Sequence, residues 1–287
     1  MRVPGDIKKL LPKRKLDAHK GDYGHVFVIA GSVGMTGAAT LTSMGALLSG
    51  SGLVTLGIPK SLNPILEVKL TEVMTKPLPE TDDQTLSEGA FSKILKFAEK
   101  ANCVAIGPGL SRNFSTEKLV KELVVSLDKP MVLDADGINA LEGEASILNS
   151  AKAPIVITPH PGEMARLVSL SRDAIVKVKE KVAKNFANKY NVVCVLKGRR
   201  TVVADPKGKV YVNLTGNPGM ASGGVGDILT GMIASFIGQG IKPFDAARLG
   251  VFLHGLAGDL AAREKGEVSL IASDLLNKLP EAIKLLA

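Results

Sequence analysis

Residues 217–232 read NPGMASGGVGDILTGM, a cluster of glycines that runs directly into an apolar, helix-forming segment. The first backbone N–H groups of a helix have no partner within the helix, so they point at whatever lies above its start. Together with the helix dipole, they bind anions such as phosphate. The stretch therefore predicts an anion cradle at the start of a helix over Gly224–Ile237.

One carboxylate, Asp227, falls in the first turn of that helix and is the only charged residue between Lys209 and Lys242. Aspartate is favoured near helix N-termini, so a capping role is one interpretation, although Ser222 is also available to cap. A lone carboxylate beside an anion cradle is equally suited to take a proton from a hydroxyl that attacks a phosphorus. The residues alone leave both roles open.

Outward from this stretch, short apolar runs rich in β-branched residues alternate with helical segments. Runs that are apolar on both faces suit a sheet buried on both sides, and their alternation with helices predicts parallel strands joined by right-handed crossovers. The six clearest predicted strands are Val26–Ala30, Leu53–Ile58, Cys103–Ile106, Met131–Leu133, Ile155–Thr158 and Val192–Leu196. A hairpin over Arg200–Asp205 and Lys209–Asn213 interrupts this order, because Pro206-Lys207-Gly208 is a turn signal.

The predicted helices are Thr36–Leu48, Ser87–Lys100, Ser115–Ser126, Asp173–Tyr190, Gly224–Ile237, Pro243–Arg263 and Ser273–Leu286. No linker, low-complexity segment or fixed-period repeat divides the sequence. We therefore expect residues 1–287 to form a single α/β domain of three layers, with helices on both faces of a mostly parallel central sheet.

The composition excludes several classes of protein. The 287 residues are 45% hydrophobic and 22% charged, which is typical of a globular domain. The net charge of +8 is spread along the chain, and aromatic residues, at 4%, are too few for a surface that stacks nucleic-acid bases. A nucleic-acid or non-catalytic nucleotide binder is therefore disfavoured. The uncharged stretch Val26–Pro59 is interrupted by seven glycines, which argues against a membrane span, and we expect a soluble, cytoplasmic protein.

Four further segments place glycines or polar residues at the carboxyl ends of predicted strands, where ligands bind in open α/β folds. They are Gly107–Leu110, Asp134–Asn139, Thr158–Glu163 and Lys197–Thr201. The glycines of the first allow close approach of a ligand, or form a plain tight turn. The cations of the last suit a phosphate chain, or are solvated hairpin charges.

The two middle segments are also open to two interpretations each. Asp134, Asp136 and Asn139 could bind Mg²⁺ through oxygen ligands, or Asp136 could cap a helix over Gly137–Leu141. His160, held between two prolines, could bind a ligand or serve only as a turn residue.

Other motifs that carry chemistry are missing from the sequence. It has no Walker P-loop, no dinucleotide-binding Gly-x-Gly-x-x-Gly after the first strand, and no Gly-x-Ser-x-Gly elbow. Cys103 and Cys194 each lie inside an apolar run and are predicted to be buried thiols. The histidines have no metal-ligand spacing, so we assign no residue as a metal ligand.

In their order along the chain, these segments resemble the ADP/ATP-dependent NAD(P)H-hydrate dehydratases. The similarity rests on GS and TGAA within residues 31–39, GPG at 107–109, DADGINAL at 134–141, TPHPGE at 158–163, LKG at 196–198 and GGVGD at 223–227. It extends from about Gly21 to Leu286. The last motif alone is shared with vitamin and sugar kinases, but its pairing with HPGE makes the resemblance specific. The fold that it implies is the ribokinase-like fold.

The resemblance implies a metabolite-repair lyase. A nucleotide, ADP or ATP with Mg²⁺, would phosphorylate the ring hydroxyl of the S epimer of hydrated NADH or NADPH. Elimination of phosphate, a better leaving group than hydroxide, would then restore the reduced nicotinamide. Bacterial and archaeal members are expected to prefer ADP. The alternative is a vitamin or sugar kinase of the same fold, which would have no need for the His160 motif.

The resemblance also implies roles for individual residues. Asp227 would be the base and would contact the hydrate, and Ala38, Gly109 and His160 would line the hydrated dinucleotide. The nucleotide-binding residues would be Lys197, Gly198, Arg199, Arg200, Thr201, Gly223, Gly224 and Gly226. Many members carry serine at the position of Val225, so one hydroxyl donor near the phosphate is missing here.

Family members are similar in forming homotetramers, so a homotetramer is expected. They are often fused to an N-terminal epimerase domain, for which this sequence leaves no room. We therefore expect a separate epimerase as a partner, and activity of this chain on one epimer only.

Overall fold

The computed structural model describes residues 4–11 and 13–287. Its strands are β1 (His25–Ile29), β2 (Leu53–Pro59), β3 (Met74–Leu78), β4 (Cys103–Ile106), β5 (Met131–Leu133), β6 (Ile155–Ile157), β7 (Val193–Leu196), β8 (Val202–Ala204) and β9 (Val210–Val212). They form one sheet in the order β3-β2-β1-β4-β5-β6-β7-β8-β9. The first seven strands run parallel to one another. Strand β8 pairs antiparallel with both β7 and β9. The mostly parallel sheet and the late hairpin are therefore confirmed.

The helices are α1 (Gly5–Lys8), α2 (Thr36–Leu48), α3 (Asn63–Lys69), α4 (Phe91–Ala98), α5 (Phe114–Ser126), α6 (Ala135–Asn139), α7 (Pro161–Val168), α8 (Arg172–Lys177), α9 (Lys179–Tyr190), α10 (Val225–Gly238), α11 (Pro243–Lys265) and α12 (Ala272–Leu286). Helices α2, α10, α11 and α12 cover one face of the sheet, and α4, α5, α7 and α9 cover the other. The expected three layers are present.

The sheet is buried on both faces because successive strand residues point in opposite directions. In β1, Val26 and Val28 belong to the core on the α10 side, whereas Phe27 and Ile29 belong to the core on the α5 side. All four side chains are buried. The two cores explain why the strands read as continuous apolar runs.

Helices α2 and α10 pack with their backbones almost in contact. A Cβ atom added at Gly231 of α10 would lie 2.0 Å from the carbonyl oxygen of Thr42, and one added at Gly45 of α2 would lie 2.6 Å from that of Ile228. Only glycine allows this approach. The packing also brings Leu41 of α2 against Gly224, where the predicted anion cradle lies.

Several features differ from the predicted elements, and the short helices α1 and α3 were not predicted. The helix predicted over Asp173–Tyr190 is two helices, because Val178 leaves the helical conformation between them. The segment predicted as one helix over Ser87–Lys100 begins with a 3₁₀ turn, Glu88–Ala90. Strand β3 was not predicted, because its sequence MTKPL is partly polar and contains a proline, which only an edge strand tolerates.

Within the described part of the chain, every helix is too short or too polar to cross a membrane. Cys103 and Cys194 are free and buried, as predicted. Burial raises the pKa of both thiols well above the ordinary range, so neither is a reactive thiolate near neutral pH.

Candidate functional site

The loops that follow β4, β5, β6 and β7 meet at one edge of the sheet. A Cβ atom added at Gly107 would lie 1.8 Å from the carbonyl oxygen of Asp134, so these two loops touch through their backbones. The backbone N–H of Lys197 donates to the carbonyl of Pro159 at 2.8 Å. Four of the segments singled out in the sequence therefore surround one place, and the N-terminus of α10 opens beside it.

A buried ion pair lies at the centre of this place. Asp134, at the end of β5, is 1% exposed. Its Oδ1 accepts a hydrogen bond from Lys197 Nζ at 2.6 Å, and its Oδ2 accepts one from the Thr230 hydroxyl at 2.7 Å. Burial by itself lowers the pKa of Lys197, but the carboxylates of Asp134 and Glu163 raise it above its ordinary value, so Lys197 stays charged.

Lys197 also lies against the predicted cradle. A Cβ atom added at Gly226 would be 3.2 Å from Lys197 Nζ, so the ammonium group reaches the first turn of α10. Gly224 occupies the N-cap with φ 86°, and in the described part of the chain no side chain caps this helix. Capping by Ser222, suggested as available from the sequence, is therefore wrong. A positive charge and uncapped N–H groups face the same point, which is suited to an anion.

Asp227 projects from the same turn. Burial, and then the negative charge of Asp134, raise the pKa of Asp227 to about 7, although Lys197 opposes the shift. Among the described residues, no donor hydrogen-bonds its carboxylate, so the structure does not support the capping interpretation. A carboxylate with a pKa near neutrality can accept a proton at physiological pH and release it again.

His160 is the N-cap of α7. Its Nδ1 accepts hydrogen bonds from the backbone N–H groups of Gly162 at 2.9 Å and Glu163 at 3.2 Å. In return, Glu163 Oε2 accepts one from the backbone N–H of His160 at 2.6 Å, which completes a capping box. The two interpretations left open for His160 are compatible, because Nδ1 caps the helix while the ring itself is half exposed.

Because Nδ1 accepts two N–H groups, the neutral ring carries its hydrogen on Nε2. Burial, followed by the charge of Lys197, lowers the pKa of His160, which favours that neutral form. Glu163 lies beneath it, with its Oε1 3.3 Å from His160 Nε2. Burial raises the pKa of Glu163 to about 7, against the attraction of Lys197.

The segment Asp134–Asn139 contradicts the capping interpretation of Asp136 and offers no preformed cage for Mg²⁺. Helix α6 begins at Ala135, so Asp136 lies inside it and does not cap a helix over Gly137–Leu141. Asp136 Oδ2 accepts from the backbone N–H of Ser111, and its Oδ1 accepts from Asn139 Nδ2.

These oxygens are therefore already engaged. Asn139 Oδ1 accepts from Arg166 at 2.7 Å. Among the described residues, no three or more His, Cys, Asp or Glu side chains are grouped so as to hold a metal ion. The residues do not form a cage for a resident Mg²⁺. An ion here would be held mainly by substrate phosphates and water, which is how Mg²⁺ usually binds.

The three cations of the segment after β7 have different surroundings. Lys197 belongs to the ion pair with Asp134, whereas Arg199 and Arg200 are exposed. The turn that carries them has left-handed backbone at Gly198 (φ 110°) and Arg200 (φ 56°). The Thr201 hydroxyl closes it by donating to the carbonyl of Gly198 at 3.0 Å. Lys197 is therefore not a solvated hairpin charge, whereas the two arginines are open both to solvent and to a ligand.

Gly109 and Ala38 are neighbours. A Cβ atom added at Gly109, which has φ 65°, would lie 3.0 Å from the Cβ of Ala38 and 2.8 Å from that of Met35. The hydroxyl of Ser32 donates to the carbonyl of Gly109 at 2.8 Å. The loop after β1, the loop after β4 and the beginning of α2 are therefore packed together at this edge.

Two residues in contact with the site were not found from the sequence. Thr230 lies one turn after Asp227, and helical spacing could have placed it on the same face. His254 has no metal-ligand spacing and gave no signal. It is buried in α11, its Nε2 lies 2.8 Å from the carbonyl oxygen of Val225, and burial lowers its pKa to about 4. The ring is therefore neutral and donates to the first turn of α10.

Comparisons with known proteins agree with this arrangement. A sequence model of the family described as NAD(P)H-hydrate dehydratase matches residues 26–281. The bifunctional NAD(P)H-hydrate repair enzyme Nnr of Moorella thermoacetica is 48% identical over 274 residues, which cover 96% of this chain and 52% of that protein. The chain thus spans about half the length of this and other bifunctional curated relatives that it matches.

Further matches cover nearly the whole length of both proteins. The ADP-dependent (S)-NAD(P)H-hydrate dehydratase of Bacillus subtilis is 32% identical, with 97% of this chain and 95% of that protein covered. A crystal structure of the B. subtilis ADP/ATP-dependent dehydratase, co-crystallised with ATP/Mg²⁺, superimposes with a TM-score of 0.86 over 98% of this chain and 96% of that one, at 33% identity. A ribokinase-like superfamily protein of Enterococcus faecalis gives 0.83 at 26% identity over 98% and 94%. The expected ribokinase-like fold is confirmed.

Proposed function

Because this chain belongs to the NAD(P)H-hydrate dehydratase family, we propose that it dehydrates the S epimer of hydrated NADH or NADPH at the expense of ADP or ATP. The observation that carries the proposal is the arrangement at the start of α10. A buried carboxylate with its pKa raised to about 7, Asp227, adjoins uncapped helix N–H groups and the ammonium group of Lys197.

In this proposal Asp227 is the base. It takes the proton of the ring hydroxyl as the hydroxyl oxygen attacks the terminal phosphorus of the nucleotide. The bond between that phosphorus and the bridging oxygen breaks, and AMP leaves from ADP, or ADP from ATP. The N–H groups at the start of α10 and Lys197 Nζ stabilise the negative charge on the phosphoryl oxygens. The phosphate then leaves with the electron pair of the carbon–oxygen bond, and loss of a proton from the adjacent ring carbon forms the double bond.

The binding roles are part of the same proposal. Ala38, Gly109 and His160 would line the hydrated dinucleotide, with His160 Nε2 as a hydrogen-bond donor. The proposed nucleotide-binding residues are Lys197, Gly198, Arg199, Arg200, Thr201, Gly223, Gly224 and Gly226. Mg²⁺ would enter with the nucleotide phosphates as part of the co-substrate, since the side chains form no cage for it.

A direct assay tests the reaction. Purified protein mixed with (S)-NADPH hydrate or (S)-NADH hydrate, Mg²⁺ and either ADP or ATP should regenerate the absorbance of the reduced nicotinamide and release one phosphate per nucleotide consumed. A kinase of the same fold would instead accumulate a stable phosphorylated product. Consumption of nucleotide without recovery of absorbance would contradict the dehydratase proposal and favour the kinase.

The two functions of His160 can be separated with a matched pair of variants. Asparagine is a good N-cap, so His160→Asn should keep the free energy of unfolding within about 0.5 kcal/mol, whereas His160→Ala should lose about 1 kcal/mol. Both variants lack the Nε2 donor, and both should raise the KM for the hydrate about tenfold. Urea denaturation and initial rates measure the two effects. A normal KM for both variants would exclude contact between His160 and substrate.

We further propose that the chain acts as one domain in a cytoplasmic homotetramer, beside an epimerase that converts the R hydrate into the S form. Multi-angle light scattering of the purified protein should give the mass of four chains. In a racemic hydrate mixture, the protein alone should convert only the S half. After addition of an epimerase, more than half of the hydrate should be converted.

A further inference from the structure

Lys179 connects α9 to the turn at residues 198–201. It is the first residue of α9, and its Nζ donates to the carbonyl of Arg199 at 3.2 Å and to that of Arg200 at 3.3 Å. The same nitrogen would be 3.5 Å from a Cβ atom added at Gly198. One side chain thus holds two successive carbonyl groups of a turn that lies 20 residues further along the chain.

The turn needs such support. Its backbone is left-handed at Gly198 and, at φ 56°, at Arg200, a conformation that costs energy for a residue with a side chain. Within the turn, the hydroxyl of Thr201 donates to the carbonyl of Gly198. The carbonyls of Arg199 and Arg200 accept their hydrogen bonds from Lys179.

The surroundings of Lys179 are cationic. A cleft of about 410 Å³ lies beside the turn, and its charged lining consists of Lys177, Lys179, Lys181, Arg199, Arg200 and a single acid, Glu180. In the described part of the chain, Lys179 has no salt bridge within 4.0 Å, and its hydrogen-bond partners are the two carbonyls. Burial lowers its pKa to about 8, so at neutral pH it remains mostly protonated and able to donate to both.

We propose that Lys179 is a positioning residue for the nucleotide: by donating to two successive carbonyls, it holds the turn 198–201 in the conformation that binds ADP or ATP. The inference rests on the proposed function, because it takes this turn as part of the nucleotide site. Lys179 itself need not touch the nucleotide. Its side chain acts from the cleft, on the face of the sheet covered by α9, whereas the cradle at α10 lies on the opposite face.

Trypsin provides a test that needs no nucleotide. The carbonyls held by Lys179 belong to Arg199 and Arg200, so they are the carbonyls of the two peptide bonds that trypsin would cut in this turn. In Lys179→Met the turn should open more often. The rate of tryptic cleavage after these arginines, measured by mass spectrometry, should therefore increase about tenfold. Lys181→Met removes an equal charge from the same cleft without removing a bond to the turn, so its rate should remain that of the wild type.

Nucleotide affinity provides the second readout. Isothermal titration with Mg²⁺·ADP and Mg²⁺·ATP should give a Kd about tenfold higher for Lys179→Met and unchanged for Lys181→Met. The KM for the hydrate and the kcat at saturating nucleotide should stay within twofold of wild type. Lys179→Gln keeps a shorter donor, so its nucleotide Kd should lie between those of the wild type and Lys179→Met. Thermal melting verifies that each variant is folded.

The outcomes separate this inference from the proposed function. A wild-type protein that binds neither nucleotide would contradict the proposed function. The trypsin result would still show whether Lys179 stabilises the turn 198–201. Equal trypsin rates for Lys179→Met and wild type would overturn the inference. Faster cleavage with unchanged Kd would overturn its link to the nucleotide. If Lys181→Met loses as much nucleotide affinity as Lys179→Met, the positive charge of the cleft sets the affinity. The hydrogen bonds from Lys179 to the turn would then not be the cause.

Discussion

Replacement of Asp227 by asparagine is expected to lower kcat for hydrate dehydration by a factor of about 10³, because a positioned general base contributes about 10²–10⁴. Asparagine keeps the size of the side chain and cannot accept the proton. Single-turnover measurements with saturating nucleotide and hydrate give the rate directly. The Kd for Mg²⁺·ADP should change less than threefold, since the N–H groups at the start of α10 remain.

Asp136→Asn is the matched control. This carboxylate lies at the same edge of the sheet, and its charge helps to raise the pKa of Asp227, but its own oxygens accept from Ser111 and Asn139. Its replacement should lower kcat less than tenfold. An Asp227→Asn variant that turns over the hydrate at a near wild-type rate would show that another group removes the proton.

The pH dependence follows from the same carboxylate. Since burial raises the pKa of Asp227 to about 7 and the base must be ionised, kcat/KM should rise with pH through about 7 and level off above it. The folded pKa is higher than the ordinary value of 3.8, so the folded state favours the protonated form. Stability from this group is therefore present below about pH 4 and is lost as the pH rises through about 7.

Asp227→Asn, which has no charge to bury, should consequently be more stable than the wild type at pH 8, by about 1–2 kcal/mol. Urea denaturation at pH 5 and pH 8 measures the difference, which should shrink at the lower pH. A variant that gains stability while losing turnover would identify Asp227 as a residue whose buried charge serves catalysis and opposes folding.

Replacement of Asp134 by alanine should have the largest effect on stability. Lys197 would then be a buried ammonium without its main counter-charge, and breaking a buried pair in this way costs about 3–5 kcal/mol. The Thr230 hydroxyl would also lose its acceptor. The free energy of unfolding from urea denaturation should fall by this amount, and turnover should fall with it because Lys197 is no longer fixed beside Gly226.

Two comparisons test the cause. The double variant Asp134→Ala/Lys197→Met removes both charges and should recover more than half of the lost stability. Glu264→Ala breaks an ion pair of similar length, 2.6 Å to Lys278, on the surface, and should cost less than about 1 kcal/mol. If the double variant is no more stable than Asp134→Ala, the pair does not act through its charges.

The sequence predicts the parts of the fold that depend on local pattern. Strands such as Cys103–Ile106 and helices such as Thr36–Leu48 have the predicted ends, because apolar runs and glycine or proline boundaries are local signals. Strand β3 is missed because its pairing with β2 compensates for a poor β sequence. The break at Val178 is missed because the helical pattern continues across it.

The site divides in the same way. The glycine cluster and the first-turn position of Asp227 are visible in one short stretch. The ion pair of Asp134 is not visible in the sequence, because Lys197 lies 63 residues further along the chain. Only the order of the strands in the sheet brings Lys197 to the end of β5. The sequence therefore offered a metal or a helix cap for the Asp134–Asn139 segment. The structure replaces the helix cap with an ion pair and a hydrogen-bonded network.

The contact between Gly231 of α10 and the backbone of α2 has a mechanical consequence. At Gly231 and Gly45 no side chain lies between the two helices, so their backbones resist sliding along each other at this contact. The end of α10 that carries Asp227 is thereby a fixed reference point in the molecule.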